Sequence, residues 1–290
     1  MKMKKIRQLV ACTLFATGPL HAATLIEYHF DSPESYLFNG STPATRYDDQ
    51  SGHHHAVEFN RVTTRLSDYP FATSRPDLNG LDYSARTKYG AAETVGRVQG
   101  LESINLNATN SFTMEGWIYL EEASAGTLWD IRASVNNSGG AANSVFNLKY
   151  TADGTLTAVF NAQGKAAPAL QATSTLQLNA WTHIAYIKSD STIKIYINGE
   201  EAGSLTHGDI ARKLPITLSA ITLAGNIQGR FDDFRLSDTA LTPEELGYHA
   251  PFTPVPEPST TALLLLSVAA GGWRMVRRSR NAAPQPSTAS

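Results

Sequence analysis

Trp181-Thr182-His183-Ile184-Ala185-Tyr186-Ile187-Lys188, then Ser189-Asp190, then Thr192-Ile193-Lys194-Ile195-Tyr196-Ile197-Asn198-Gly199, is the stretch that decides the fold. Two runs rich in β-branched and aromatic residues flank a tight polar connection, which predicts a hairpin. Asn198-Gly199 adds a type I′ turn signal that joins 193–197 to 201–205. Outward from this stretch, short alternating or apolar runs recur at 24–30, 112–120, 127–133, 144–150, 156–160, 216–223 and 230–236. Gly, Asn, Asp and Ser divide them. Many short strands at this spacing predict an all-β antiparallel sandwich or barrel. One helix is expected, because Thr242-Pro243-Glu244-Glu245 sets a capping threonine before a first-turn proline, with glutamate closing the box.

The 290 residues are 42% hydrophobic and 17% charged, enough to bury a core and not disordered by composition. The formal net charge of −2 hides an asymmetry. Lys2, Lys4, Lys5 and Arg7 lie at one end, Arg274, Arg277, Arg278 and Arg280 at the other, and neither end holds an acid. The body between them carries 16 bases against 26 acids, a net of −10. Such a body argues against nucleic acid as a partner, which would require a basic field.

The ends read as addresses. Residues 1–22 combine a basic start, an apolar run over 9–20 and Ala22 after a Gly18-Pro19 break, as a secretory signal peptide does. Cleavage is expected after Ala22, or next after Ala23. Leu9-Val10-Ala11-Cys12 resembles a lipoprotein acceptor, but the apolar stretch before Cys12 is too short for a signal core and continues beyond it. The only cysteine therefore leaves with the signal, and the mature chain has no disulfide, thiolate nucleophile or cysteine-bound zinc. At the other end, residues 250–258 form a proline-rich linker, 259–276 an apolar helix around Leu263–Leu266, and 277–290 a basic tail expected on the cytoplasmic side. The uncharged part, 259–273, is somewhat short for a span of ~17–25 residues, although arginines snorkel.

Val255-Pro256-Glu257-Pro258-Ser259, the apolar helix and the arginines Arg274, Arg277, Arg278 and Arg280 resemble the PEP-CTERM sorting signal of exopolysaccharide-producing bacteria. That resemblance implies Sec export and transient anchoring in the inner membrane. It also implies processing by an exosortase near Pro256, Glu257 and Pro258, and release to the cell surface or matrix. Residues 281–290 extend beyond the point where such tails stop.

The body, residues 23–249, resembles the laminin-G-like, concanavalin-A-like jelly-roll family. Phe112–Ile118, Trp181–Ile187, Lys194–Gly199, Arg230–Leu236 and Ala240–Leu246 carry the resemblance in the expected order, and Asp49-Gln50-Ser51-Gly52-His53 resembles the family's early loop. Residues 60–98 match less well, as an insertion or irregular loops would. The resemblance implies carbohydrate or exopolysaccharide binding. It also implies a structural calcium (Ca2+) holding an N-terminal loop to the last strand, with Asp49 and Asp232 as its carboxylates. Glucanases of this fold place acids at alternate positions of one strand, Glu-x-Asp-x-Glu, so that they share a face. No such run exists here: Glu115 stands alone, Glu121 and Glu122 point apart, and Asp130 lacks a second acid at i+2. No serine-hydrolase, zincin, phosphate-loop or dinucleotide motif occurs either.

The expectation is thus an exported, non-catalytic surface or matrix module that binds a polysaccharide. The alternatives are a structural matrix protein without a specific ligand and a divergent glycoside hydrolase acting through Glu115. His53-His54-His55 reads as a solvated loop, because three adjacent histidines cannot all face one ion. Trp117 and Trp181 read as core, Tyr47, Tyr83 and Tyr89 as exposed aromatics open to a glycan, and 136–140 as a flexible turn.

Overall fold

A computed structural model of the protein describes residues 22–30, 33–38, 42–60, 63–66, 83–87, 96–101, 104, 106, 110–133, 143–162, 165–212 and 218–248. All of them fall in the first of two units into which the chain divides, Met1–Pro251. In chain order the first strands are β1 (Thr24–Tyr28), β2 (Pro33–Phe38), β3 (Thr42–Tyr47), β4 (Val57–Asn60), β5 (Thr63–Leu66) and β6 (Tyr83–Thr87). Then follow β7 (Gly96–Val98), β8 (Ser111–Leu120), β9 (Gly126–Ala133), β10 (Asn143–Tyr150), β11 (Thr155–Ala162) and β12 (Lys165–Ala166). The last are β13 (Leu170–Thr175), β14 (Trp181–Ser189), β15 (Thr192–Ile197), β16 (Glu200–Thr206), β17 (Leu218–Gly225) and β18 (Gly229–Ser237).

These strands build two antiparallel sheets. The eight-stranded sheet runs β16-β15-β14-β8-β18-β6-β5, with β1 also on β18. The ten-stranded sheet runs β12-β11-β10-β9-β17-β7-β4-β3-β2, with β13 on β11. The all-β antiparallel sandwich is therefore as expected. At the expected type I′ turn, Asn198 and Gly199 sit at φ 50° and 79°, the left-handed region that this turn demands. Residues 60–98, poorest in resemblance, nevertheless supply β5, β6 and β7, the last between β17 and β4 in the larger sheet.

Alternation sorts each strand between two faces. Phe112, Met114 and Ile118 of β8 and Ile184 and Tyr186 of β14 point between the sheets, where they meet Leu128, Ile131, Phe146, Leu148 and Phe160 from the other side. The rings of Phe146 and Tyr186 lie 4.0 Å apart, and Trp129 packs edge-on against Phe234 at 5.8 Å. Truncating such a ring to alanine costs about 3–5 kcal/mol. At one end of this core Lys188 is fully buried and donates to Asn110 O at 2.7 Å, Asn110 Oδ1 at 3.0 Å and Asp190 O at 3.0 Å. Burial pushes its pKa down to about 8.

The last strand, β18, is irregular. Gly229–Phe231 pair with β6, whereas Phe234–Ser237 pair with β1 on the same edge, and Asp233 at φ 43° bulges between the two partners. Across from the bulge a Cβ on Gly116 would lie 3.3 Å from Phe234 Cα, so the close approach favours glycine. The expected strand 24–30 stops at Tyr28, because Phe30 adopts φ 57°. The expected helix after Thr242 is a correction. Only a 3₁₀ turn forms, Pro243–Glu245, with Thr242 N–H donating to Glu245 Oε2 at 2.8 Å. Its flanking residues Leu241 and Leu246 pack with Ala185, Ile187 and Tyr196 on the outside of the eight-stranded sheet, and Leu246 leaves the helical region at ψ 144°.

Candidate functional site

The outer face of the ten-stranded sheet holds a depression of about 220 Å³, lined by Arg97, Thr127, Asp130, Arg132, Thr222 and the small residues Ala220 and Gly225. Register puts them there. Asp130 stands opposite Asn147 and Thr222, Thr222 opposite Arg97, and Arg97 opposite Glu58. Directly opposed residues share a face, so one polar row crosses β10, β9, β17, β7 and β4. Asp130 is 4% exposed, and its carboxylate accepts Arg132 Nε at 2.6 Å and Ser144 Oγ at 2.5 Å. Asn147 Nδ2 donates to Ser144 Oγ at 3.0 Å, while Asn147 Oδ1 is buried with no hydrogen-bond partner.

Spare donors remain. Arg132 gives only its Nε to Asp130, and the exposed guanidinium of Arg97 has no carboxylate within ion-pair distance among the described residues. Glu58, its cross-strand neighbour, accepts from Gln99 Nε2 at 3.4 Å instead. The depression thus offers guanidinium N–H groups and two threonine hydroxyls on the face of a sheet. A ligand rich in hydroxyls, each both donor and acceptor, satisfies such a set. Reading Asp130 as a carboxylate without a second acid passed over this site. The signal was Asp130-Ile131-Arg132, opposite charges two apart and so on one face of a strand.

The outer face of the other sheet is covered along β8. Thr113, Glu115 and Trp117 of β8 point outward, yet residues 238–248 cross over them as a strap. Thr113 Oγ1 donates to Thr239 O at 2.8 Å and accepts from Leu241 N at 2.9 Å. Glu115, with no exposed surface, accepts Arg235 Nε at 2.7 Å and Arg235 Nη2 on Oε1, and Gly247 N–H on Oε2 at 2.8 Å. His183 Nε2 lies 3.1 Å from Oε2, and Arg235 also reaches Glu245 O at 2.9 Å. Trp117, 3% exposed, lies with its ring tilted 33° to that of Tyr248, centroids 6.0 Å apart. Burial opposes ionisation of Glu115, but the charge of Arg235, His183 and the Gly247 N–H outweigh it and hold the carboxyl below the usual range. A glycosidic general acid requires the reverse, a raised pKa and access to the bond. Glu115 anchors the strap.

Trp181 corrects the reading that placed it in the core. It is half-buried on this same outer face, where the Arg230 guanidinium covers the Tyr119 ring at 4.0 Å and sits 5.5 Å from Trp181. Glu121 pairs with Arg86 through Nε at 2.7 Å, and Glu122 is exposed.

Asp49 is buried in the loop after β3. Its Oδ1 accepts the N–H groups of Glu27 and Ser51, both at 2.9 Å, and its Oδ2 accepts Ser51 Oγ at 2.7 Å and His55 N at 3.1 Å. Four donors occupy both oxygens, so Asp49 does not fit a calcium ligand as arranged. Asp232 Oδ1 accepts its neighbour's N–H at 2.9 Å. No group of three or more His, Cys, Asp or Glu placed to hold a metal occurs among the described residues. The tie expected of calcium, N-terminal segment to last strand, is made by His29: Nδ1 lies 2.5 Å from Asp233 Oδ1 and Nε2 2.9 Å from Glu27 Oε1. Burial works against its charge, but hydrogen bonds to Asp233 and Glu27 and their negative charges raise its pKa to about 9. A protonated imidazole bridges the two carboxylates.

The three histidines part company. His53 and His54 are exposed, His54 at φ 62°, whereas His55 is 3% exposed with Nδ1 3.3 Å from Gln99 O, so the solvated-loop reading fails for it. Tyr47, expected outside, is 1% exposed and packs at 5.0 Å against Phe30. The Tyr83 side chain, Tyr89 and residues 136–140 lie outside the described residues, as do the signal segment with Cys12, Pro256, Glu257, Pro258 and Arg274, Arg277, Arg278 and Arg280. Among the described residues no helix is long and apolar enough to cross a membrane.

Two stacked antiparallel sheets, one face strapped and the other open with a polar depression, define a lectin-type β-sandwich. The chain belongs to the laminin G-type family of the concanavalin A-like lectin/glucanases superfamily, whose model matches residues 95–247. No curated protein sequence matches it. Among solved structures it is similar to the binding domain of Paraclostridial mosquitocidal protein 1, with a TM-score of 0.54 and 18% identity over 78% of this chain and 51% of that one. The binding domain of botulinum neurotoxin DC, in complex with SialylT, gives 0.50 and 14% over 77% and 49%. Trypanosoma rangeli sialidase, in complex with 2,3-difluorosialic acid, gives 0.56 and 11% over 81% and 34%. The chain thus spans about half the length of the toxin domains and a third of the sialidase, and at these identities the likeness is one of fold.

Proposed function

We propose that the protein is a non-catalytic carbohydrate-binding module that takes a polysaccharide in the depression on its ten-stranded sheet. The observation that carries this reading is the Asp130–Arg132–Ser144–Asn147 network, a buried carboxylate that fixes an arginine whose remaining donors face an open, hydroxyl-lined hollow. The likeness to a binding domain that holds SialylT supports it, as does the burial of Glu115, the acid that a hydrolase reading needs. The test is binding of the purified protein to a polysaccharide panel by calorimetry. Thr222→Trp fills the depression from an outward position and abolishes binding without changing the melting temperature by more than a degree or two. Unchanged affinity in that variant moves the site elsewhere.

The ends give this module its place. Residues 1–22 direct Sec export. Pro256, Glu257 and Pro258 with Arg274, Arg277, Arg278 and Arg280 form a PEP-CTERM tail, which an exosortase processes at the inner membrane before release to the surface or matrix. The start of β1 supports cleavage after Ala22: Ala23 N–H already bonds Asp238 Oδ1 at 3.0 Å, and its carbonyl accepts Asp238 N at 3.1 Å. A new terminus at Ala23 keeps both contacts and adds an ammonium beside that carboxylate. Intact mass of the protein recovered from its host reads both trimming events. A variant lacking residues 274–280 accumulates unprocessed, and an unchanged mature mass in that variant removes the sorting assignment.

A further inference from the structure

The depression is electropositive in an acidic protein. Its lining holds two arginines and one acid, whereas the body as a whole carries 16 bases against 26 acids. Asp130 is consumed by Arg132 Nε and Ser144 Oγ and is 4% exposed, so it presents no free carboxylate to a ligand. What faces outward is the other side of the Arg132 fork, half exposed, and the exposed guanidinium of Arg97. The two stand on β9 and β7 with β17 between them, Arg132 opposite Ala220 and Arg97 opposite Thr222. Two strand spacings across and two residues along put their Cα atoms roughly 12 Å apart. The side chains reach inward from either side of a hollow floored by Ala220, Thr222 and Gly225, where small side chains leave room for a sugar ring.

We infer that this site selects carboxylate-bearing sugars, the uronic acid units of an acidic polysaccharide, over neutral glycans; the inference rests on the reading of the depression as a glycan site. A guanidinium offers paired parallel N–H donors that match a planar carboxylate, and such charge-assisted pairs are about twice as strong as neutral ones. A neutral sugar in the same place leaves Arg97 without an anionic partner and Arg132 with Asp130 alone, and that cost makes the selection. The hydroxyls of Thr127 and Thr222 serve the ring hydroxyls. Two arginines gathered in an otherwise acidic body also orient the chain on a polyanion.

The experiment measures affinity of the mature protein for polygalacturonate, for dextran sulfate and for unsubstituted dextran, at low and at physiological salt. Polygalacturonate binds tightest, dextran at least tenfold more weakly, and salt weakens only the charged ligands. Arg97→Gln removes a guanidinium that makes no ion pair among the described residues, so the fold survives. It lowers polygalacturonate affinity at least tenfold and dextran affinity by a much smaller factor. Arg132→Lys keeps charge but loses the fork, and falls between. Dextran bound as well as polygalacturonate, with Arg97→Gln silent, overturns the selection while leaving the depression a glycan site. Tighter binding to dextran sulfate, following charge density alone, overturns the carboxylate assignment. Binding to none of the three in a folded protein removes the glycan site itself.

Discussion

The two outer faces of the sandwich carry similar chemistry and do opposite things with it. On the eight-stranded sheet, Glu115 and Arg235 form an ion pair whose remaining capacity goes to Gly247 N–H, His183 and Glu245 O. Every group turns inward under the strap. On the ten-stranded sheet, Asp130 and Arg132 form a comparable pair, but the arginine keeps unspent donors toward solvent and a second arginine stands across the hollow. A charge pair that closes on itself is architecture. One that leaves donors pointing into a hollow is open to a ligand.

Substitutions sharpen that contrast. The largest effect is expected at Glu115→Ala, which removes the carboxylate that holds Arg235 and the Gly247 N–H under the strap and costs about 3–5 kcal/mol in urea unfolding. Polysaccharide affinity of the folded fraction stays unchanged. A loss of binding with intact stability would reverse the roles of the two faces. Next is the His29 bridge. Its folded pKa, about 9, exceeds the unfolded 6.5, so its stabilisation is complete below pH 6.5 and disappears as pH rises through 9. The shift amounts to at most about 3 kcal/mol. Measured as wild type minus His29→Gln, it separates from Lys188, whose lowered pKa acts in the opposite sense above about pH 8. A flat difference across pH 6–10 removes the bridge.

Thr113→Val is smaller. It breaks two bonds to the strap, at Thr239 O and Leu241 N, for about 1–3 kcal/mol. Limited proteolysis then cuts within residues 238–248 before the sandwich core. The smallest effect expected is that of calcium. With Asp49 filled by four donors and His29 bridging Glu27 to Asp233, melting temperatures in calcium and in chelator coincide. A calcium-dependent rise that Asp232→Asn abolishes restores the metal reading.

Much of the sandwich was legible because strand period and turn chemistry are local. The β14–β15 hairpin and the Asn198-Gly199 turn follow from neighbouring residues, and β8, β9, β10 and β18 begin and end within a few residues of their sequence patterns. The strands within 60–98 were not legible, since short segments such as β7 earn their pairing only from β17 and β4 on either side. Outward-facing residues misled for the same reason. Tyr47 and His55 look like surface residues in sequence, yet tertiary packing buries both, Tyr47 against Phe30 and Phe59 and His55 beside Gln99.

Composition and alternation by themselves determined an acidic all-β body flanked by basic ends, because charge and hydrophobic period are properties of the chain. Which carboxylate is spent and which arginine is open was decided only by the tertiary structure. Glu115 and Asp130 each sit on a strand of a β-sandwich, yet register brings a strap residue and Arg235 to one, and Ser144, Thr222 and Arg97 toward the other. Partners separated by up to 132 positions in the chain meet through strand order, and no local pattern encodes that meeting.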